Sequence, residues 1–292
     1  MEETSLNIFQ KIRKIQYATT QLADEIMAGA WRSAFKGQGM EFEEVREYQS
    51  GDDVRLIDWH VTARMDRPYL KVFQEERELT VFLVVDASAS LHFGSQNLKR
   101  DVIAEIGAVL AFSAIKNNDK IGLILFSNEI EKYLPPKRGT RHVLRVIREL
   151  VAFKPKHRGT DVARALSFIN SIQRKAAICF LISDFICPPF SRELLLTAQR
   201  HDVIAISVVD PCEIEFPDAH LVHFADLESG TSAVIDTSPQ TTRANFKEKG
   251  LERIKNIQTM MEKIGAGFVN VYTNQPYLEP IQKFFKLRQR RR

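Results

Sequence analysis

Three short segments carry the residues best able to do chemistry. Asp86-Ala87-Ser88-Ala89-Ser90 sets a carboxylate and two hydroxyls at alternate positions of one tight loop. Gly159-Thr160-Asp161 adds a further hydroxyl, and Ser183-Asp184 a second carboxylate. If the strands leading into these loops are neighbours, Asp86, Ser88, Ser90, Thr160 and Asp184 converge on one point. The set is all oxygen, and its hydroxyls outnumber its carboxylates. Such hard donors suit Mg²⁺, which keeps water readily; Mn²⁺ and Ca²⁺ are alternatives. Two carboxylates at most neutralise the formal charge of the ion and the hydroxyls add none. The ion stays electrophilic, with a vertex that a carboxylate from another molecule could fill. This is chemistry for metal-dependent recognition more than for turnover.

Each residue also has an ordinary structural use. Ser88 and Ser90 could cap a following helix, Thr160 is a natural N-cap, and Asp184 could cap the helix beyond Pro188-Pro189. Three polar loops at three strand ends are harder to explain as capping alone.

The elements that must position these loops alternate in type. Apolar runs at 79–86, 120–126, 176–182, 202–210 and 267–273 read as strands buried on both faces. Between them, 98–115 reads as an amphipathic helix, and 140–151, 161–172, 191–200 and 241–264 as further helices, with 277–287 as a short closing one. Residues 129–134 follow the second strand after only Ser127-Asn128, so they form a hairpin with it. A smaller hairpin surrounds Glu228-Ser229-Gly230. Strands alternating with helices predict an α/β fold: a doubly wound, mostly parallel sheet with one antiparallel edge strand. Ligands then bind at the carboxyl ends of the strands, where the three polar loops lie.

Upstream, 6–27 has mostly helical spacing, broken by Gly37 and Gly39. Residues 41–78 mix charge with aromatics and read as a compact loop region held by Arg–carboxylate forks, or as an interaction surface. The expected division is an N-terminal region at 1–78, an α/β domain at 79–275, and a short helix with a basic tail at 276–292.

Composition narrows the class. The chain has 292 residues, 44% of them hydrophobic and 27% charged, as in an ordinary globular protein. Its three cysteines (Cys179, Cys187 and Cys212) show no metal or disulfide spacing. No apolar run approaches the roughly 20 residues of a membrane span, and MEETSLNIFQK has no signal-peptide core. A cytoplasmic location is therefore expected. Six basic residues at 283–292 exceed the formal net charge of +4, so the remaining chain is slightly acidic. Between Lys132 and Arg158 stand nine basic residues against Glu149 alone. Such a field draws an acidic partner towards the Thr160 loop. It lacks the interleaved aromatics that stack bases, which argues against nucleic acid. P-loop, dinucleotide, GxSxG and HExxH motifs are absent.

The ordered trio DASAS, GTD and SD resembles the metal-ion-dependent adhesion site of von Willebrand factor A domains. The resemblance implies metal ligands at Asp86, Ser88, Ser90, Thr160 and Asp184. GxGxEF at 37–42, REY at 46–48, GDDVRLIDW at 51–59 and TAR at 62–64 resemble the bacterial domain-of-unknown-function family 58 (DUF58). That likeness implies a cytoplasmic adaptor beside MoxR-type AAA+ ATPases and membrane-bound von Willebrand factor A proteins, in a chaperone-like assembly. One departure is Leu91, where many members carry Met. The leading expectation is a non-enzymatic module that binds a partner's exposed acidic side chain through Mg²⁺ and takes no small-molecule substrate. The rivals are a Mg²⁺-dependent phosphohydrolase using Asp86, set back by Ser88 in place of a second Asp and by the lack of a nearby His or Lys, and nucleic-acid binding through 132–158.

Overall fold

The structure, a computed structural model, describes residues 40–65, 67–75, 79–216 and 219–291. The helical spacing at 6–27 and the glycines Gly37 and Gly39 lie outside the described residues. The chain divides into two compact units, Phe35–Leu79 and a larger one that begins its sheet at Thr80.

In the smaller unit, β1 (Met40–Glu47) and β2 (Tyr69–Glu75) pair antiparallel, with a 3₁₀ turn at Val54–Leu56 and helix α1 (Trp59–Met65) between them. This corrects the expected loop region. Charged residues crowd β1 and a bulge interrupts it between Phe42 and Glu44, which hides a strand's alternation. Of the forks expected from Arg46, Arg55 and Arg64, the one with two bonds is Arg46–Asp52; Arg55 makes a single contact to Asp53 at 3.2 Å. Arg46 grips both carboxylate oxygens of Asp52 at 2.9 and 2.7 Å, and Arg67 reaches Glu47 at 3.1 Å.

The larger unit runs β3 (Thr80–Asp86), α2 (Lys99–Lys116), β4 (Lys120–Phe126), β5 (Ile130–Lys137), α3 (Thr140–Ala152), α4 (Val162–Ile172), β6 (Ile178–Ser183), α5 (Ser191–Ala198) and β7 (Asp202–Val209). There follow a hairpin of β8 (Leu221–Ala225) and β9 (Ser232–Asp236), then α6 (Gln240–Ile264), β10 (Gly267–Tyr272) and α7 (Leu278–Arg291). Six strands form one sheet in the order β10-β7-β6-β3-β4-β5, all parallel except the edge strand β5. This is the α/β architecture the sequence predicts.

Alternate residues of each strand face opposite sides, as the pleat requires. Phe82, Val84, Ile124, Phe126, Cys179, Leu181, Val203 and Ala205 share one face, packed by α4, α5 and α6. On the other side α2 packs on β3, β4 and β7, α3 on β4, and α7 on β10. Gly122 makes room for the Phe82 ring, since a Cβ there would lie 2.7 Å from Phe82 Cε1.

Two helices differ from expectation. α2 is not amphipathic: from Val102 to Ala114 it is buried almost all round. Its outer side is closed by α3, where Gly107 abuts Leu150, and the Ser113 hydroxyl bonds back to Val109 O at 2.9 Å. α7 runs on to Arg291 instead of ending near 287; within it Ile281 and Phe285 are buried, and Phe285 meets the edge of Phe180. Among the described residues no helix is long and apolar enough to cross a membrane.

The topology fixes where a site can lie. From β3 the chain adds β4 on one side and later β6 on the other. The switch point therefore falls between β3 and β6, at their carboxyl ends.

Candidate functional site

Asp86 ends β3 and Asp184 directly follows β6, so the switch point is flanked by two carboxylates, both almost wholly buried. Asp86 Oδ1 accepts the Ser88 N–H at 2.7 Å, and Oδ2 accepts the Ser183 hydroxyl at 2.6 Å. The Ser88 and Ser90 hydroxyls are 2.9 Å apart. Burial, reinforced by the negative charge of Asp184, pushes the Asp86 carboxyl up to about 7.

Backbone bonds hold the loops together. Ala87 N–H donates to Phe126 O at 2.7 Å, Ala89 N–H to Arg158 O at 2.9 Å, and Asp161 N–H to Ser127 O at 2.9 Å. Glu131 braces the loop before Thr160 by accepting Lys156 N–H, His157 N–H and the Ser127 hydroxyl at 3.1, 3.0 and 2.9 Å. Phe185 adopts a left-handed backbone (φ 56°) and stacks on Phe190, which fixes the chain beyond Asp184. Such a conformation costs on the order of 1–3 kcal/mol and persists only where its surroundings impose it.

The capping alternatives do not account for these side chains. Asp161, not Thr160, caps α4 by accepting Arg164 N–H at 2.9 Å. Ser88 sits at the N-cap of a 3₁₀ turn without making a side-chain cap bond. Asp184 accepts Ile186 N–H at 3.1 Å but lies well before α5, which begins at Ser191. The hydroxyls of Ser88, Ser90 and Thr160 thus remain at the site, and the structure brings all five predicted residues into one cluster.

Three residues of the cluster were not legible as such. Lys99, with no exposed surface, donates to Asp184 Oδ2 at 2.6 Å and to Glu213 Oε1 at 2.5 Å. Burial alone would lower its pKa, but the two carboxylates outweigh burial and hold it above the ordinary lysine value. This corrects the expectation of no lysine nearby; its enclosure leaves no face for a substrate. Glu228, in the β8–β9 turn, accepts the Thr160 hydroxyl at 2.7 Å and is also hydrogen-bonded by Ser90. Burial, together with the charge of Asp184, raises its pKa despite those bonds. The signal for Lys99 was a lysine at the start of an otherwise apolar helix. For Glu213 and Glu228, which lie far along the chain, there was none.

The donor set fits a hard divalent ion. Two buried carboxylates repel each other, hydroxyls surround them, and a cation relieves the repulsion. Among the described residues no group of three or more His, Cys, Asp and Glu side chains is arranged as a metal site. Coordination would therefore rest on the two carboxylates, hydroxyl oxygens and water, as suits Mg²⁺ better than Zn²⁺.

A central, mostly parallel sheet wound on both sides, an antiparallel edge strand and polar loops at the switch point define a doubly wound α/β domain. The chain belongs to the family described as protein of unknown function DUF58, whose profile matches residues 44–256. An uncharacterised protein of Mycobacterium tuberculosis is 30% identical over 283 residues, covering 96% of this chain and 89% of its own. The uncharacterised YeaD of Bacillus subtilis is 28% identical over 36% of this chain and 25% of its own. Among solved structures, BatB from Bacteroides thetaiotaomicron is similar at 16% identity and a TM-score of 0.47, covering 73% of this chain and 99% of that one.

Proposed function

We propose that this chain is a non-catalytic interaction module that holds Mg²⁺, with Mn²⁺ or Ca²⁺ as alternatives, and binds a protein partner through an acidic side chain of that partner. One observation carries the reading. Asp86 and Asp184 are buried against each other at the switch point, ringed by three hydroxyls that capping does not use. Asp86, Ser88, Ser90, Thr160 and Asp184 would hold the ion. The ion would supply a Lewis-acidic point for a carboxylate. Lys99, shared between Asp184 and Glu213, lessens the negative charge that a bound divalent ion would have to neutralise.

Electrostatics favour the same class of partner. Lys137 pairs with Ile121 and His142 bonds Ile121 O, which puts the start of α3 at the opposite end of β4 and corrects the expectation that the whole basic stretch faces the site. Lys154, Lys156 and Arg158 are exposed in the segment that leads into Thr160. Their field raises the encounter rate with an acidic surface. The family resemblance makes a MoxR-type AAA+ ATPase and membrane-bound von Willebrand factor A proteins the first candidates, with the module acting in the cytoplasm. Surface plasmon resonance against the ATPase tests this in Mg²⁺ and in EDTA, with Asp86→Ala alongside. Binding only by the unaltered chain and only in Mg²⁺ is the expected result; equal binding in EDTA or by the variant overturns the proposal.

A further inference from the structure

The carboxylate that the site is proposed to take from a partner has a counterpart within the chain. We infer that Glu228 is an internal ligand of the Asp86–Ser88–Ser90–Thr160–Asp184 site, and that partner capture requires the β8–β9 turn to move off it. The inference rests on the metal-dependent reading above and adds its regulation.

The turn is built to present this residue. Asp226 accepts Glu228 N–H at 2.9 Å and bonds the Ser229 hydroxyl, while Gly230, at φ 74°, returns its N–H to Asp226 O at 2.9 Å. Asp226 N–H closes the turn on Thr231 O at 2.8 Å. These bonds are local, so the turn keeps its shape wherever the hairpin lies. The hairpin is largely solvent-facing. At its base Thr237 donates its N–H and hydroxyl to His220 O at 2.7 and 2.9 Å, and next to the turn Phe224 packs on Phe216, which stacks on Phe246 of α6. At its tip Glu228 reaches Thr160 and Ser90, two members of the site. The turn therefore leaves the site once the Thr160 and Ser90 bonds are given up and the Phe224–Phe216 contact yields.

The chemistry is that of a competing ligand. A hydroxyl has one donor and two acceptor lone pairs. Ser90 and Thr160 can therefore give lone pairs to a cation while their O–H groups stay on Glu228. A neighbouring cation strengthens that arrangement, because it polarises the hydroxyls and attracts the carboxylate directly. An acidic side chain from outside needs the same donors and the same charge, so the two exclude each other.

Mg²⁺ titration calorimetry on the full chain, Asp86→Ala, Glu228→Gln and Glu228→Ala tests the first half. The expected result is saturable binding by the unaltered chain, none by Asp86→Ala, and an affinity reduced about ten- to a hundredfold in Glu228→Gln, as for loss of a charged hydrogen-bonding partner. Fluorescence anisotropy of a short labelled glutamate-rich peptide tests the second. Its Mg²⁺-dependent binding, over the EDTA background set by the basic surface, is expected to be tighter with Glu228→Ala at saturating Mg²⁺ than with the unaltered chain. Mg²⁺ affinity in Glu228→Gln within twofold of the unaltered chain, or equal peptide binding by both proteins, overturns the inference while leaving the metal site standing. No Mg²⁺ binding by the unaltered chain overturns both. Glu228 lies in an exposed turn outside the core, and equal melting temperatures in EDTA check that the variants fold.

Discussion

Replacing Lys99 by Met probes the buried charge balance on which the site depends. The side chain has no exposed surface, and its Nζ lies 2.6 Å from Asp184 Oδ2 and 2.5 Å from Glu213 Oε1. Met fills a similar volume, so the change removes charge with little loss of packing. Glu213 keeps Arg253 within 3.8 Å, but among the described residues Asp184 is left facing Asp86 with the Ile186 N–H to compensate it. Removing one partner of a buried pair costs about 3–5 kcal/mol. For a unit of this size each kcal/mol moves the melting temperature by about 2–4 °C, so a fall of about 6–20 °C is expected in EDTA. The Lys99 pKa is raised in the folded state, so its contribution is complete below the unfolded value of 10.5 and is lost only as pH rises through the higher folded value. A measurement near pH 7.5 therefore sees all of it. Urea unfolding of Lys99→Met, Asp184→Asn and the double variant gives the coupling, and the double variant should recover at least half of the single loss. The loss of this buried positive charge should also make Mg²⁺ raise the melting temperature of Lys99→Met more than that of the unaltered chain. A cost below about 1 kcal/mol, as for an exposed pair, or no recovery in the double variant, would refute the account of a buried charge triad.

Further predictions concern Asp86 and the sheet. With its carboxyl raised to about 7, Asp86 costs the metal-free fold nothing below the unfolded value near 3.8, progressively more above it, and its full penalty beyond about 7. Asp86→Asn should therefore gain stability over the unaltered chain as pH rises from 5 to 8 in EDTA, measured by thermal melts; a difference independent of pH contradicts the assignment. Gly122→Ala puts a Cβ 2.7 Å from the Phe82 ring and 3.2 Å from Leu134 O, and should cost about 1–3 kcal/mol by chemical denaturation. Charge reversal at exposed Lys154 and Arg158, in the segment leading to Thr160, should leave the melting temperature unchanged and slow association with an acidic partner at low salt, by stopped-flow mixing.

The strands and three polar loops were legible because both signals are local. Uninterrupted runs such as Thr80–Asp86 and Ile178–Ser183 mark strands buried on both faces, and a topology with few alternatives puts their ends side by side. The charge partners were hidden because they are not local. Glu213 and Glu228 reach the cluster from chain 114 residues beyond Lys99 and 68 beyond Thr160 respectively. Lys99 opens a helix whose outer side is covered by α3, a packing that periodicity does not reveal. In the smaller unit the charges of β1 masked its strand, and pairing with β2 supplied what local pattern could not.

Calorimetric titration of Mg²⁺ into the full chain and into Asp86→Ala bears most directly on the central claim. The account predicts one saturable site in the unaltered protein and no binding in the variant, with both proteins folded by circular dichroism. Equal binding by the two, or none by either, would contradict a metal site at the switch point between β3 and β6.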